Sequence, residues 1–170
     1  RDGDRFADIG CGSGQNIRYL AQRFPDSSLL GVDLNADAIA LIRDCEGAPG
    51  LQLAVGDIRD VAYLREILAD PPDHIVMSHV MSLLFADTAD QTRRLRQEIV
   101  DTLVSHSRRS IIIIDAFGAP GELRITIEQR QRALITDDVL AYFRSHLDSG
   151  RALLAQSPRG QAVIFTHVTV

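Results

Sequence analysis

Lysine and tryptophan are missing altogether from this chain of 170 residues, and cysteine occurs twice, at positions 11 and 45. Without lysine no G-x-x-x-x-G-K-[ST] loop can be built, which removes P-loop nucleotide chemistry from consideration. The two cysteines form neither a redox C-x-x-C pair nor a zinc ligand set, and they point to a reducing compartment, the cytoplasm. His74, His106, His146 and His167 lack any H-x-x-x-H spacing, so no metal site is expected. Aromatic residues make up 5% of the chain, too few to offer the stacking surfaces that base-flipping enzymes use. No Pro-Cys pair exists for covalent attack on a pyrimidine. Apolar runs stay far below the ~20 residues of a membrane span, the longest tidy one being Ile111 to Ile114 with its neighbours. The formal net charge is −5 and every basic residue is arginine, scattered among acids, which argues against a broad nucleic-acid surface. Small arginine clusters at Arg93, Arg94 and Arg96 and at Arg124, Arg130 and Arg132 lie beside Asp90, Glu98, Glu122 and Glu128. They read as solvated helix faces.

Against these absences stands a hydrophobic content of 45%, enough to bury a proper core in a chain whose length suits one domain, residues 1–170. Strand and helix patterns alternate, as a doubly wound α/β sheet requires. Ala7 and Ile9 with flanking Phe6 make a first strand, and Ile17, Leu20, Ala21 and Phe24 share one helix face. Leu29 to Val32 is a second strand, and Asn35 caps a helix carrying Ala38, Leu41, Ile42 and Cys45. Leu51 to Val55 is the third strand. Asp60 caps a helix with Val61, Leu64 and Leu68 that Pro71-Pro72 stops, and Ile75 to Met77 is the fourth strand. Asp87 to Val104 forms a helix with Leu95, Ile99 and Leu103 inward, ahead of a fifth strand at 111–114. Thr136 opens a last helix, and Ala152–Gln156 and Ala162–Val168 form a hairpin about Ser157-Pro158-Arg159-Gly160. The chain starts with Arg rather than Met, almost at the first strand, which points to a segment left out before it.

Asp8 to Gly14 read D-I-G-C-G-S-G, so that a strand, a glycine turn and a helix follow one another directly. Glycines at 10, 12 and 14 remove side chains that would hold a ligand off the backbone, and the helix start presents free N–H groups. A dinucleotide fingerprint G-x-G-x-x-G would need glycine at 15, where this chain has Gln15. An acidic residue, Asp33, ends the second apolar run about twenty residues on.

Together, D-x-G-x-G-x-G and Asp33 resemble the first two motifs of the class I S-adenosylmethionine-dependent methyltransferases, and the strand–helix alternation extends the resemblance over essentially the whole chain. The fold it implies is a mostly parallel seven-stranded sheet with a C-terminal antiparallel hairpin. The cofactor it implies is S-adenosylmethionine, leaving as S-adenosylhomocysteine. By the same resemblance Asp8 holds the methionine amino group, Gly10, Cys11 and Gly12 give backbone approach, and Asp33 grips the ribose hydroxyls. Leu34 and Ile58 lie against adenine, Asp57 faces its amino group, and Ser78 touches the methionine part. Acceptor residues fall after the fourth and fifth strands: His79 as a candidate general base, histidine being the residue type suited to proton transfer at physiological pH, and Ser82 and Asp115 on the substrate side. The expected partner is a small-molecule acceptor methylated on oxygen or nitrogen. An aminopropyl-type transferase, a dehydrogenase or a non-catalytic cofactor-binding domain are the alternatives within this fold. Asp70-Pro71-Pro72-Asp73 precedes the fourth strand and is read as a connector rather than a D-P-P-Y motif.

Overall fold

A computed structural model describes residues 1–43, 50–115, 152–157 and 160–166. In chain order its elements are β1 (Arg5–Ile9), α1 (Gln15–Arg23), β2 (Ser28–Asp33), α2 (Ala36–Arg43), β3 (Leu51–Val55), α3 (Val61–Ile67) and β4 (His74–Ser78). A 3-10 turn at Met81–Leu83, α4 (Ala89–Ser105), β5 (Ser110–Asp115), β6 (Ala152–Ser157) and β7 (Gly160–Thr166) follow. Strands β1 to β5 pair in parallel in the order β3-β2-β1-β4-β5. The mostly parallel α/β sheet read from the sequence is therefore present. The helix expected from Thr136 lies outside the described residues.

Alternation along β1 sends successive side chains to opposite faces. Ala7 and Ile9 join Val32, Ile75, Met77, Ile111 and Ile113 under Leu64 of α3, Leu68 just past its end, and Ile99, Val100 and Leu103 of α4. Phe6 and Leu29 face Ile17 and Leu20 of α1 and Ile39 and Ile42 of α2 on the other side. With both faces covered, the inner strands read as near-continuous apolar runs. Each large side chain taken from water contributes roughly 1.5–3 kcal/mol.

The helix starts follow the expected chemistry. Asn35 Oδ1 accepts from the Asp37 and Ala38 N–H groups at 2.9 and 3.3 Å. Asp60 Oδ1 does the same for Ala62 and Tyr63, and Thr88 caps α4 by accepting from Gln91 N, so that the helix starts at Ala89, two residues later than the expected Asp87.

Two expectations are corrected. Leu41, assigned to the inner face of α2, is 58% exposed, because the inward stripe runs through Ile39 and Ile42 instead. Arg96, grouped with the solvated arginines, is fully buried. It shares a stripe with Thr92, Ile99, Val100 and Leu103, at i−4, i+3, i+4 and i+7 from it, whereas Arg93 and Arg94 are exposed as read, and both bond to Asp90.

At the N-terminal edge of the sheet the connector Asp70–Asp73 is pinned down. Asp70 pairs with Arg5 and Arg108, and Asp73 accepts from Arg5 N at 3.0 Å and pairs with Arg109 Nε at 3.3 Å. His74 stacks on Phe6 and bonds to Ser110 Oγ and Asp4. At the C-terminal edge the strand order reverses direction between β1 and β4, and such a switch point leaves a crevice that ligands use.

Candidate functional site

The crevice at the C-terminal end of β1 is shaped by its glycines. Gly10 N and Cys11 N both donate to Val32 O, at 2.7 and 3.0 Å, clamping the turn onto the end of β2. Gly10, Gly12 and Gly14 have φ of +77°, +52° and +81°, a region that favours glycine. A methyl group on Gly10 would run into Val80, and one on Gly14 into Ile42 Cγ1 at 2.6 Å. On Gly12 it would meet nothing within 4 Å, so the middle of the turn faces open space.

Asp33 is tied to this turn. Its Oδ2 accepts the Gly12 N–H at 2.7 Å and its Oδ1 accepts the Asn35 N–H at 2.8 Å. Each carboxylate oxygen keeps acceptor capacity beyond one bond, so two further donors can be held. The Asp33 carbonyl accepts from Gly56 N at 2.9 Å, which draws the end of β3 alongside. Leu34 and Val55 are exposed at the same edge, giving it an apolar margin.

Asp8 is fully buried behind the turn. Its Oδ1 accepts one bond from Asn16 Nδ2 at 3.3 Å, while Oδ2, equally buried, receives no hydrogen bond among the described residues. Burial pushes its carboxyl up to about 6, against the lowering bond from Asn16, and the negative charge of Asp33 adds to the rise. A buried carboxylate oxygen without a donor is costly unless a ligand supplies one. Cys11 is buried too, and burial, helped by the charges of Asp8 and Asp33, pushes its thiol up to about 12. It stays protonated and is no nucleophile.

The remaining positions are less closely drawn together. The Asp57 carboxylate is engaged by Arg59, with Nη2 to Oδ2 at 2.6 Å and Nε to Oδ1 at 3.0 Å, and the Arg59 bonds hold its pKa below the usual range. Ile58 turns into the main core. Ser78 closes β4, half-buried, opposite Ile114. His79 follows, exposed, with φ of +58° and its N–H donating to Ile114 O at 2.6 Å. Ser82 lies in the 3-10 turn and Asp115 is the last residue of β5. No group of three or more metal-ligating side chains occurs among the described residues, and none of their helices is long and apolar enough to cross a membrane.

Sequence reading missed Asn16, Val80 and Arg59, the residues that touch Asp8, Gly10 and Asp57. Asn16 and Arg59 carried a signal, a polar side chain within eight residues of the carboxylate it serves. Val80 carried none.

A family model described as a methyltransferase domain matches residues 6–105. A fatty-acid O-methyltransferase of Mycolicibacterium smegmatis is 36% identical over 62 residues, 36% of this chain and 23% of that protein. A trans-aconitate 2-methyltransferase of Deinococcus radiodurans is 37% identical over 76 residues, 41% of this chain and 29% of that protein. The matches thus span less than a third of either curated relative. A SAM dependent methyltransferase from Aquifex aeolicus has the same fold, with a TM-score of 0.67 at 13% identity over 99% of this chain and 84% of that one. A glycine-turn crevice at the switch point of a parallel sheet defines a nucleoside-binding α/β domain. The chain belongs to the methyltransferase-domain family, among the class I S-adenosylmethionine-dependent methyltransferases.

Proposed function

We propose that this chain binds S-adenosylmethionine across the C-terminal ends of β1 and β2 and transfers its methyl group to an oxygen or nitrogen of a small-molecule acceptor. The observation that carries the reading is the pair of carboxylates, Asp8 and Asp33, set at either side of one glycine turn. Asp33 is fixed by the Gly12 N–H with acceptor capacity to spare, and Asp8 has a buried Oδ2 that awaits a donor. These fit the two hydroxyls of a ribose and an ammonium group in one molecule.

On this reading Asp8 takes the amino group, the backbone of Gly10, Cys11 and Gly12 lets the ligand approach, and Asp33 holds the ribose. Leu34 and Ile58 border the adenine, Asp57 faces its amino group and Ser78 meets the methionine portion. The sulfonium supplies an already activated methyl, so the protein's work is to align the acceptor and exclude water. His79, at the open side of the β4 end, accepts the proton when the acceptor is a hydroxyl or an ammonium. Ser82 and Asp115 sit on the acceptor side. The likeness to a fatty-acid O-methyltransferase and a trans-aconitate 2-methyltransferase favours a small organic acid as acceptor, and a net charge of −5 favours a small acceptor over a nucleic acid.

The same reading has the sheet completed to seven strands. The antiparallel registers Ile112 opposite Ile164 and Leu153 opposite Ile164 support a closing hairpin of β7 and β6 beyond β5.

Isothermal titration with S-adenosylhomocysteine tests the proposal. Binding to the parent chain that disappears in Asp33→Ala is expected. Binding of NADH with none of the sulfur nucleoside would overturn it in favour of a dehydrogenase.

A further inference from the structure

The segment from His79 to Ala86 runs from the end of β4 past the glycine turn to the start of α4, and it is fastened at every few residues. His79 N–H donates to Ile114 O. Val80 fills the space that a β-carbon on Gly10 would take. Met81 is fully buried in the main core, and Leu84 nearly so. Two polar residues of α4 complete the fastening from inside the protein. Arg96, fully buried, donates from Nε to the Leu84 carbonyl at 2.8 Å. Thr92, 1% exposed, meets both backbone groups of Ala86, its Oγ1 accepting from the N–H at 2.9 Å and donating to the carbonyl at 3.4 Å.

A guanidinium inside a core is expensive, and an apolar side chain of similar volume would fill the same stripe of α4 at lower cost. What an apolar residue cannot do is bond to the peptide groups of a neighbouring irregular segment. At the head of that segment His79 sits at φ +58°, a conformation that a residue with a β-carbon keeps only when its surroundings over-determine it. We infer that Arg96 and Thr92 are positioning residues that hold segment 79–86 against the glycine turn and thereby fix His79 in its left-handed conformation on the acceptor side. Neither side chain reaches the reacting atoms on this account. They act through the backbone of Leu84 and Ala86. The inference rests on the methyl-transfer reading for the word acceptor, but the fastening itself does not.

Hydrogen exchange followed by mass spectrometry on the whole chain, without ligand, reads the fastening directly, because the amides of His79, Leu83, Leu84 and Ala86 are all bonded. In Arg96→Met, exchange in the peptide covering 79–86 is expected to rise about tenfold or more, the loss of one buried charge-assisted bond. Peptides covering β1 and β2 should exchange as in the parent. Arg96→Lys, which restores a cationic donor, should recover part of the protection. Thr92→Val gives a second, milder probe of the same segment should Arg96→Met not fold. The imidazole carbon resonance of His79, assigned by its loss in His79→Gln, is expected to move in each variant that loosens the segment.

Unchanged exchange over 79–86, or a uniform rise through the whole sheet with the His79 resonance unmoved, would overturn the inference and leave Arg96 a packing residue. S-adenosylhomocysteine titrated into the parent separates this from the functional reading. Absence of binding sinks methyl transfer, while the exchange pattern judges Arg96 and Thr92 alone.

Discussion

Strand β1 has a buried carboxylate near each end, and the two are treated in opposite ways. Asp4, just ahead of the strand, pairs with His74 Nε2 at 3.0 Å and with Arg109 Nη1 at 2.8 Å. These two partners, opposed by burial, pull its carboxyl below the usual range. Asp8, inside the strand at the other edge, has one long amide bond and a bare oxygen, and stands at about 6. At Asp8 the loss of water dominates and one long bond does not offset it, whereas at Asp4, less deeply placed, the bonds from its partners outweigh burial. The edge where every charge is answered contributes stability. The edge where one is left unanswered has an unmet need that a ligand can fill.

The two edges also respond to pH with opposite sign. Asp4, lowered by His74 and Arg109, contributes stability that is present above pH 4 and lost as pH falls below it. Asp8, raised from 3.8 to about 6, contributes stability that is fully present below pH 4 and lost as pH rises through 6.

The contrast can be broken most severely at Asp33. Asp33→Ala should weaken S-adenosylhomocysteine by about a hundredfold or more, the loss of two charge-assisted bonds, in a calorimetric titration. Asp4→Asn should do the reverse. It should cost roughly 2 kcal/mol in urea unfolding, leaving Arg109 and His74 underpaired, while the titrated affinity stays within about twofold of the parent. An affinity loss at Asp4 would show that the edges are not separate.

A smaller effect sharpens the Asp8 side. Because the ammonium of the ligand needs an ionised carboxylate, affinity should fall about tenfold between pH 8 and pH 5 in the parent. Asp8→Asn should bind weakly at both values, yet be more stable without ligand at pH 7 by about 1 kcal/mol, since a buried charge has gone. A flat pH profile in the parent would remove Asp8 from ammonium binding. The least effect on the free protein is expected for Gly12→Ala, where a left-handed backbone costs about 1 kcal/mol and no neighbour is struck. Its unfolding midpoint should be only slightly lower, while its methyl enters the space through which the ligand approaches, so titrated affinity should fall about tenfold.

The glycine turn was legible in the sequence because its determinants are local: glycines at fixed spacing, an apolar run before and a helix face after. The caps Asn35 and Asp60 were legible for the same reason, a side chain serving amides two or three residues on. What failed was whatever depends on partners distant in sequence. Arg96 looked like its neighbours Arg93 and Arg94, and its burial follows from a phase within α4 and from a carbonyl twelve residues away. Leu41 looked like an inner residue because it is apolar, yet the α2 stripe through Ile39 and Ile42 is too narrow to include it. Val80 against Gly10 joins two loops seventy residues apart, and no periodicity announces such a contact.

The interlock of Gly10 and Val80 joins the glycine turn and the segment after β4 into a single mechanical part. On the proposed reading, resizing residue 80 to change the acceptor range would tilt the cofactor floor as well, so selectivity and cofactor grip would drift together. Leu83, nearly half open to solvent and three residues on, would be the place from which to retune one without the other.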